Sequence, residues 1–211
     1  MGALAPLGIV PGLLLLLLSN RYRRRTMTQD WLELQRRAHQ EFDQRLAEIS
    51  DWDASTPATE WTVRDLVRHV IEEQQWVPYL LAGSSIAVAR KELEPLRDEL
   101  RAEWQLYSFA ATTAWEATSP DIMVQLSYDT VTMEEYLREQ VADVTIHTWD
   151  LSRAIGAEET IDASLVEAVW TVFEPQKETL AASGLFASPV PVPDDAPLQQ
   201  RLLAVTGRDP R

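Results

Sequence analysis

The stretch VADVTIHTWDLSRAIG, residues 141–156, places a carboxylate, Asp143, four residues before an imidazole, His147. Both sit among Val141, Val144, Ile146, Trp149, Leu151 and Ile155. Apolar residues at this spacing predict a helix, from about Met133 to Ile155, that ends at Gly156. Residues four apart on a helix share a face, with Cβ atoms about 5–6 Å apart. The acid and the histidine are therefore either a hydrogen-bonded pair inside the core or two ligands converging on one cation.

Outward from this segment the chain reads as more helices. The first carries Trp31, Leu34, Ala38, Phe42, Leu46 and Ile49 at three- and four-residue steps, with Asp30 as N-cap. The second opens with Thr62 as N-cap and Asp65 three residues on, a capping box with Asp in place of Glu. Leu66, His69, Val70, Val77 and Leu80 then share one side, and Gly83 is the expected stop. After a charged helical stretch broken at Pro95, a third long helix is expected from about Leu96 to Ala117. It presents Leu100, Trp104, Tyr107, Ala111 and Trp115.

DIMVQLSYDTV, residues 121–131, reads as a short hairpin or an extended crossover. A further helix near Ile161 carries Leu165, Ala168, Val169, Val172 and Phe173, with a kink expected at Pro175. A Pro-rich tail closing in a short amphipathic helix follows. The sum is an all-α helical bundle whose long connections, 83–96 and 118–133, argue against a plain up-down-up-down order.

The 211 residues include eight tryptophans and are 45% apolar, enough for one substantial core. The four charged residues before Met27 are all arginines. Setting them aside leaves 15 basic against 33 acidic side chains, a net charge of −18 for the remainder. Such a surface repels phosphate backbones, so a nucleic-acid partner is not expected. There is no cysteine, hence no disulfide, thiolate metal site or cysteine nucleophile. A thiol chemistry here would take its sulfur from a small molecule.

Residues 1–26 form a separate extension. Its apolar run, Ala3 to Leu18, is interrupted by Pro6 and Pro11 and followed by Arg21, Arg23, Arg24 and Arg25. Two readings stand: a misassigned start, with Met27 the true one, or a membrane anchor whose trailing positive charge keeps the rest in the cytoplasm. Under the first the protein is cytoplasmic; membrane contact arises only under the second. The helical domain is expected over 27–211.

Three histidines are present, and His39, among the charged neighbours of RRAHQEF, is expected at the surface or its boundary. His69 and His147 flank apolar faces of two different helices. With Asp143 they make a two-histidine, one-carboxylate set, which leaves coordination positions open for water or substrate. Glu73, four residues after His69, competes as the carboxylate. Asp150, three residues after His147, could orient it from behind or pair with Arg153 or Arg64. Trp61, Trp76 and Trp149 are either a cavity wall or ordinary core. No hydrolase elbow, P-loop or dinucleotide fingerprint occurs.

EWTVRDLVRHV (60–70) resembles the opening of the second helix in the metal-binding domain of mycothiol-dependent maleylpyruvate isomerases, within the DinB/YfiT-like superfamily. VADVTIHTWDLSRAIG resembles a later segment of the same group. The tail SGLFASPVPVPDDAPLQQRLLAVTGRDP (183–210) is similar to that of its actinobacterial metal-binding subfamily.

The resemblance implies a DinB-like four-helix bundle with long crossover connections and an extra C-terminal helical segment. It also implies a divalent metal, often zinc, on His69, Asp143 and His147. The isomerases carry Glu where this chain has Asp143, and this chain is expected to lack their separate C-terminal domain; both departures weigh against maleylpyruvate as substrate. The implied activity is a metal-dependent thiol transferase or isomerase, with mycothiol as cosubstrate and a small electrophile as acceptor. In that reading Asp150 orients His147 and Arg64 meets an anionic group. The alternatives are a metal-binding or sensing protein without turnover, and a metal-dependent hydrolase.

Overall fold

Asp30 opens the first helix by accepting the backbone N–H groups of Leu32 and Glu33 at 3.1 and 3.2 Å. The computed structural model describes residues 30–58, 61–183 and 186–211. The readings of residues 1–26 and of Met27 as the start lie outside them. In chain order the elements are α1 (Trp31–Glu48), α2 (Val63–Leu81), α3 (Ile86–Glu92), α4 (Leu100–Ala117), β1 (Met123–Gln125), β2 (Thr130–Thr132), α5 (Met133–Ile155), α6 (Ala163–Phe173), α7 (Lys177–Ser183) and α8 (Leu198–Val205). Among the described residues no helix is long and apolar enough to cross a membrane.

Helices α1, α2, α4 and α5 make the bundle: α1 and α2 each pack on both α4 and α5. Its interior holds Phe42, Leu66, Ile71, Trp104, Trp115 and Tyr136. Outside this ring, α6 lies on α5 and α1 and carries α8 on its other side. The architecture is the all-α, DinB-like bundle with long crossovers and an added C-terminal helical segment.

Local chemistry sets the element boundaries. Thr62 and Asp65 form the expected capping box, and Thr132 and Glu135 form a second at the start of α5; each such cap stabilises its helix by about 1 kcal/mol. Gly156 ends α5 at φ +67°, a left-handed conformation that costs other residues roughly 1–2 kcal/mol. Residues 121–131 do form a hairpin, in which Val124 pairs with Val131 and both are buried. The third long helix starts at Leu100 rather than near Leu96. The buried Glu103 carboxylate accepts Arg97 N at 3.3 Å and Arg97 Nε at 2.6 Å, pinning the crossover ahead of the helix. At Pro175 the chain makes one 3-10 turn, Glu174–Gln176, between α6 and α7.

Helix α5 is buried on every side from Glu139 to Ser152, polar residues included. Its hydroxyls turn back on the helix: Thr145, Thr148 and Ser152 each donate to the carbonyl four residues earlier.

His39, expected at the surface or its boundary, is buried and only 8% exposed. Its charged neighbours in sequence project from other faces of α1. Gln35 Nε2 donates to His39 Nδ1 at 3.0 Å, and His39 Nε2 donates to Gln74 Oε1 at 3.1 Å. Gln74 Nε2 then donates to Gln140 Oε1 at 3.0 Å, and Gln140 Nε2 to Glu73 Oε2 at 3.2 Å. This tautomer of His39 is the one that gives every donor an acceptor. The ladder crosses from α1 through α2 to α5, with all its donors directed toward Glu73.

Candidate metal centre

Helix α2 supplies His69 and α5 supplies Asp143 and His147. His69 Nε2 lies 3.7 Å from Asp143 Oδ2, and His147 Nε2 lies 3.5 Å from Asp143 Oδ1. The three ligand atoms all fall within 4.8 Å of one another. Donors around a four-coordinate zinc stand roughly 3.4 Å apart, so the two shorter separations suit ligands of one ion and exceed good hydrogen-bond lengths. Among the described residues Asp143 Oδ2, which is buried, has no hydrogen-bond partner. A buried carboxylate oxygen left in that condition is costly, and a cation between it and the histidines would satisfy it. The donor set fits a divalent metal.

The electrostatics agree. Burial opposes ionisation of Asp143, but His147 and His69 overcome it and hold the carboxyl well below its usual range. Burial likewise disfavours a charged His147, yet Asp143 and then Asp150 raise it to about 9. Glu73 is not in the cluster: burial pushes its carboxyl up to about 7, against the pull of His69. It ends the buried ladder instead.

Behind His147 stands Asp150, fully buried, whose Oδ2 accepts from His147 Nδ1 at 3.0 Å. This contact assigns Nδ1 as the nitrogen that keeps its proton when the imidazole is neutral, and leaves Nε2 facing Asp143 and His69. The cation paired with Asp150 is Arg208, through Nη2 to Oδ2 at 2.8 Å and Nε to Oδ1 at 3.2 Å. Neither Arg153 nor Arg64 takes that place. Arg153 forks onto Glu159 at 2.6 and 2.8 Å, and Arg64 lies over the Trp52 ring with Asp53 at 3.8 Å. Sequence spacing offered no route to Arg208, because Asp150 and Arg208 meet only through the fold.

Trp61, at the entrance to α2, packs against both histidine rings, with centroids 4.8 Å from His69 and 5.8 Å from His147. Trp76 and Trp149 are core residues. Ser152 accepts from Arg45 Nε at 3.0 Å and donates to the Thr148 carbonyl, which ties it into the helix packing.

Residues 35–152 match the sequence model of the mycothiol maleylpyruvate isomerase N-terminal domain, more than half of the chain. Two uncharacterized proteins of Mycobacterium tuberculosis, MT0763 and Rv0738, are each 27% identical over 188 residues, covering 86% of this chain and 100% of the relative. The crystal structure of a mutant of the mycothiol-dependent maleylpyruvate isomerase superposes with a TM-score of 0.66 at 17% identity, over 87% of this chain and 90% of that one. At that identity the likeness is one of fold.

Proposed function

Because the chain belongs to the mycothiol maleylpyruvate isomerase N-terminal domain family, we propose that it binds a divalent metal, zinc first, through His69, Asp143 and His147. We assign it the role of a mycothiol-type thiol transferase or isomerase acting on a small electrophile. The observation that carries this reading is the convergence of the His69 and His147 Nε2 atoms on the Asp143 carboxylate, whose buried Oδ2 has no hydrogen-bond partner among the described residues.

A metal held there would supply Lewis acidity that favours the thiolate form of a bound thiol at neutral pH. The chain's own residues account for the rest. Asp150 keeps the proton of His147 on Nδ1, so that Nε2 is free as a donor. Asp143 supplies one negative charge and the histidines none, while Asp150 is neutralised by Arg208. A divalent ion in this set keeps one positive charge, which an anionic sulfur donor would compensate. Trp61 covers one flank of both imidazoles and limits water there. With no cysteine in the chain, the sulfur comes from the cosubstrate.

Two measurements test this: metal content of the purified protein beside His69→Ala and His147→Ala, and mycothiol consumption with electrophilic acceptors. Stoichiometric zinc lost in both variants, with thiol conjugation lost in parallel, is the expected result. A wild type without stoichiometric metal removes the proposal. A zinc-loaded protein that neither binds nor consumes mycothiol removes the transferase and leaves the metal-binding, non-enzymatic reading.

A further inference from the structure

The contact between Arg208 and Asp150 comes from outside the stretch that matches the family, which ends at residue 152. It is also built with care at the backbone level. Helix α8 ends in a Schellman turn: Gly207 N donates to the Ala204 carbonyl at 3.1 Å and Arg208 N to the Leu203 carbonyl at 2.9 Å. Gly207 has φ +77°, and a Cβ there would fall 2.6 Å from the Ala187 carbonyl oxygen. Only glycine meets both conditions.

The turn delivers Arg208 to α5. Its third nitrogen, Nη1, donates to the Thr206 carbonyl at 2.9 Å, and its guanidinium lies 5.7 Å from the Phe186 ring centroid. The side chain is 11% exposed and its partner carboxylate fully buried. An arginine fork on a buried carboxylate fixes the carboxylate plane as well as its charge. Asp150 Oδ2, so fixed, is the atom that receives His147 Nδ1–H.

We propose that Arg208 is a positioning residue for the metal centre. By clamping Asp150 it holds His147 in the tautomer and orientation that aim Nε2 at Asp143 and His69, so the C-terminal segment completes a centre whose ligands lie on α2 and α5. The part of this inference that concerns metal rests on the proposed function; the part that concerns His147 does not. Asp150 without its guanidinium is a buried carboxylate with one polar partner fewer, free to turn and to release the imidazole. A lysine at 208 would keep the charge but not the two-point grip.

The test uses the full chain with Arg208→Ala, Arg208→Lys and, as a control on the same helical segment, Arg201→Met. Zinc affinity is read by chelator competition, and the His147 Nδ1–H proton resonance is followed in zinc-free protein. Arg208→Ala is expected to weaken zinc binding by about 10–100-fold, the range for partners that orient a ligand from behind. Guanidinium at sub-denaturing concentration should restore it, which a general loss of structure would not allow. Arg208→Lys should fall between, and Arg201→Met should match the wild type. The Nδ1–H resonance should persist in wild type and exchange away in Arg208→Ala. Wild-type zinc affinity in Arg208→Ala, or a loss no larger than in Arg201→Met, overturns the clamp while leaving the metal site standing. If wild type binds no zinc, the proposed function fails, and the resonance alone decides: its survival in Arg208→Ala overturns the positioning role.

Discussion

His69 Nε2 and Asp143 Oδ2 face each other across the α2–α5 interface at 3.7 Å, and among the described residues that oxygen has no hydrogen-bond partner. The same carboxylate presents its second oxygen to His147, so Asp143 is shared between the two imidazoles. Replacing Asp143 by Asn keeps the shape and removes the charge. Zinc affinity should then fall by more than the roughly 100-fold seen when an outer partner is lost, with the helical spectrum unchanged. Retention of wild-type affinity in Asp143→Asn would show that the carboxylate is not a ligand.

Zinc binding should strengthen with rising pH. In the metal-free protein His147 stays protonated up to about 9, and a cation at Nε2 must displace that proton. The apparent affinity therefore rises by up to about tenfold per pH unit below that value. Competition titrations between pH 6 and 8 read this directly; a flat profile would contradict a protonated His147 at the centre.

Glu73 gives a separate pH signature in chelator-treated protein. Its carboxyl rises from 4.5 to about 7 on folding, first through burial. The folded state thus binds the extra proton, and stability falls as pH increases through that window, by on the order of 3 kcal/mol at full titration. His147, raised from 6.5 to about 9, adds a loss of the same sign in the next window: its contribution is complete below 6.5 and gone above about 9. Glu73→Gln should flatten the lower window and leave the upper one. Urea midpoints across pH decide it, and identical slopes in both proteins would count against a buried, neutral Glu73.

The buried ladder should be expensive to interrupt. Gln74→Leu leaves the His39 Nε2–H without its acceptor and Gln140 Oε1 without its donor, each inside the bundle. Unpaired buried groups cost about 1–3 kcal/mol each, so a loss of about 2–6 kcal/mol is expected. A urea midpoint within error of wild type would mean that water or rearrangement satisfies both groups.

Helix positions were legible because their causes are local. The apolar steps of α1 and α2, the caps at Asp30 and Thr62 and the stop at Gly156 act within one or two turns. Pro95 and Pro175 likewise mark the places where helix gives way. Burial was less legible. Helix α5 has no solvent-facing stripe from Glu139 to Ser152, so hydrophobic periodicity could not identify Gln140 or Asp150 as interior. His39 was misplaced for a related reason: sequence neighbours on a helix occupy different faces, and charge beside it says little about its own surroundings.

The sequence by itself determined the helical class of this protein and the shared face of Asp143 and His147, since a four-residue step is a property of one helix. His69, beside the apolar face of a second helix, offered itself as their companion, and likeness to a family then singled it out. Only the tertiary structure decided how close His69 comes to Asp143, that Glu73 belongs to the ladder, and that Arg208 rather than Arg153 or Arg64 grips Asp150. Those outcomes depend on which helices face each other and where the tail lands, and such long-range choices follow from the summed packing of the core, not from any spacing along the chain.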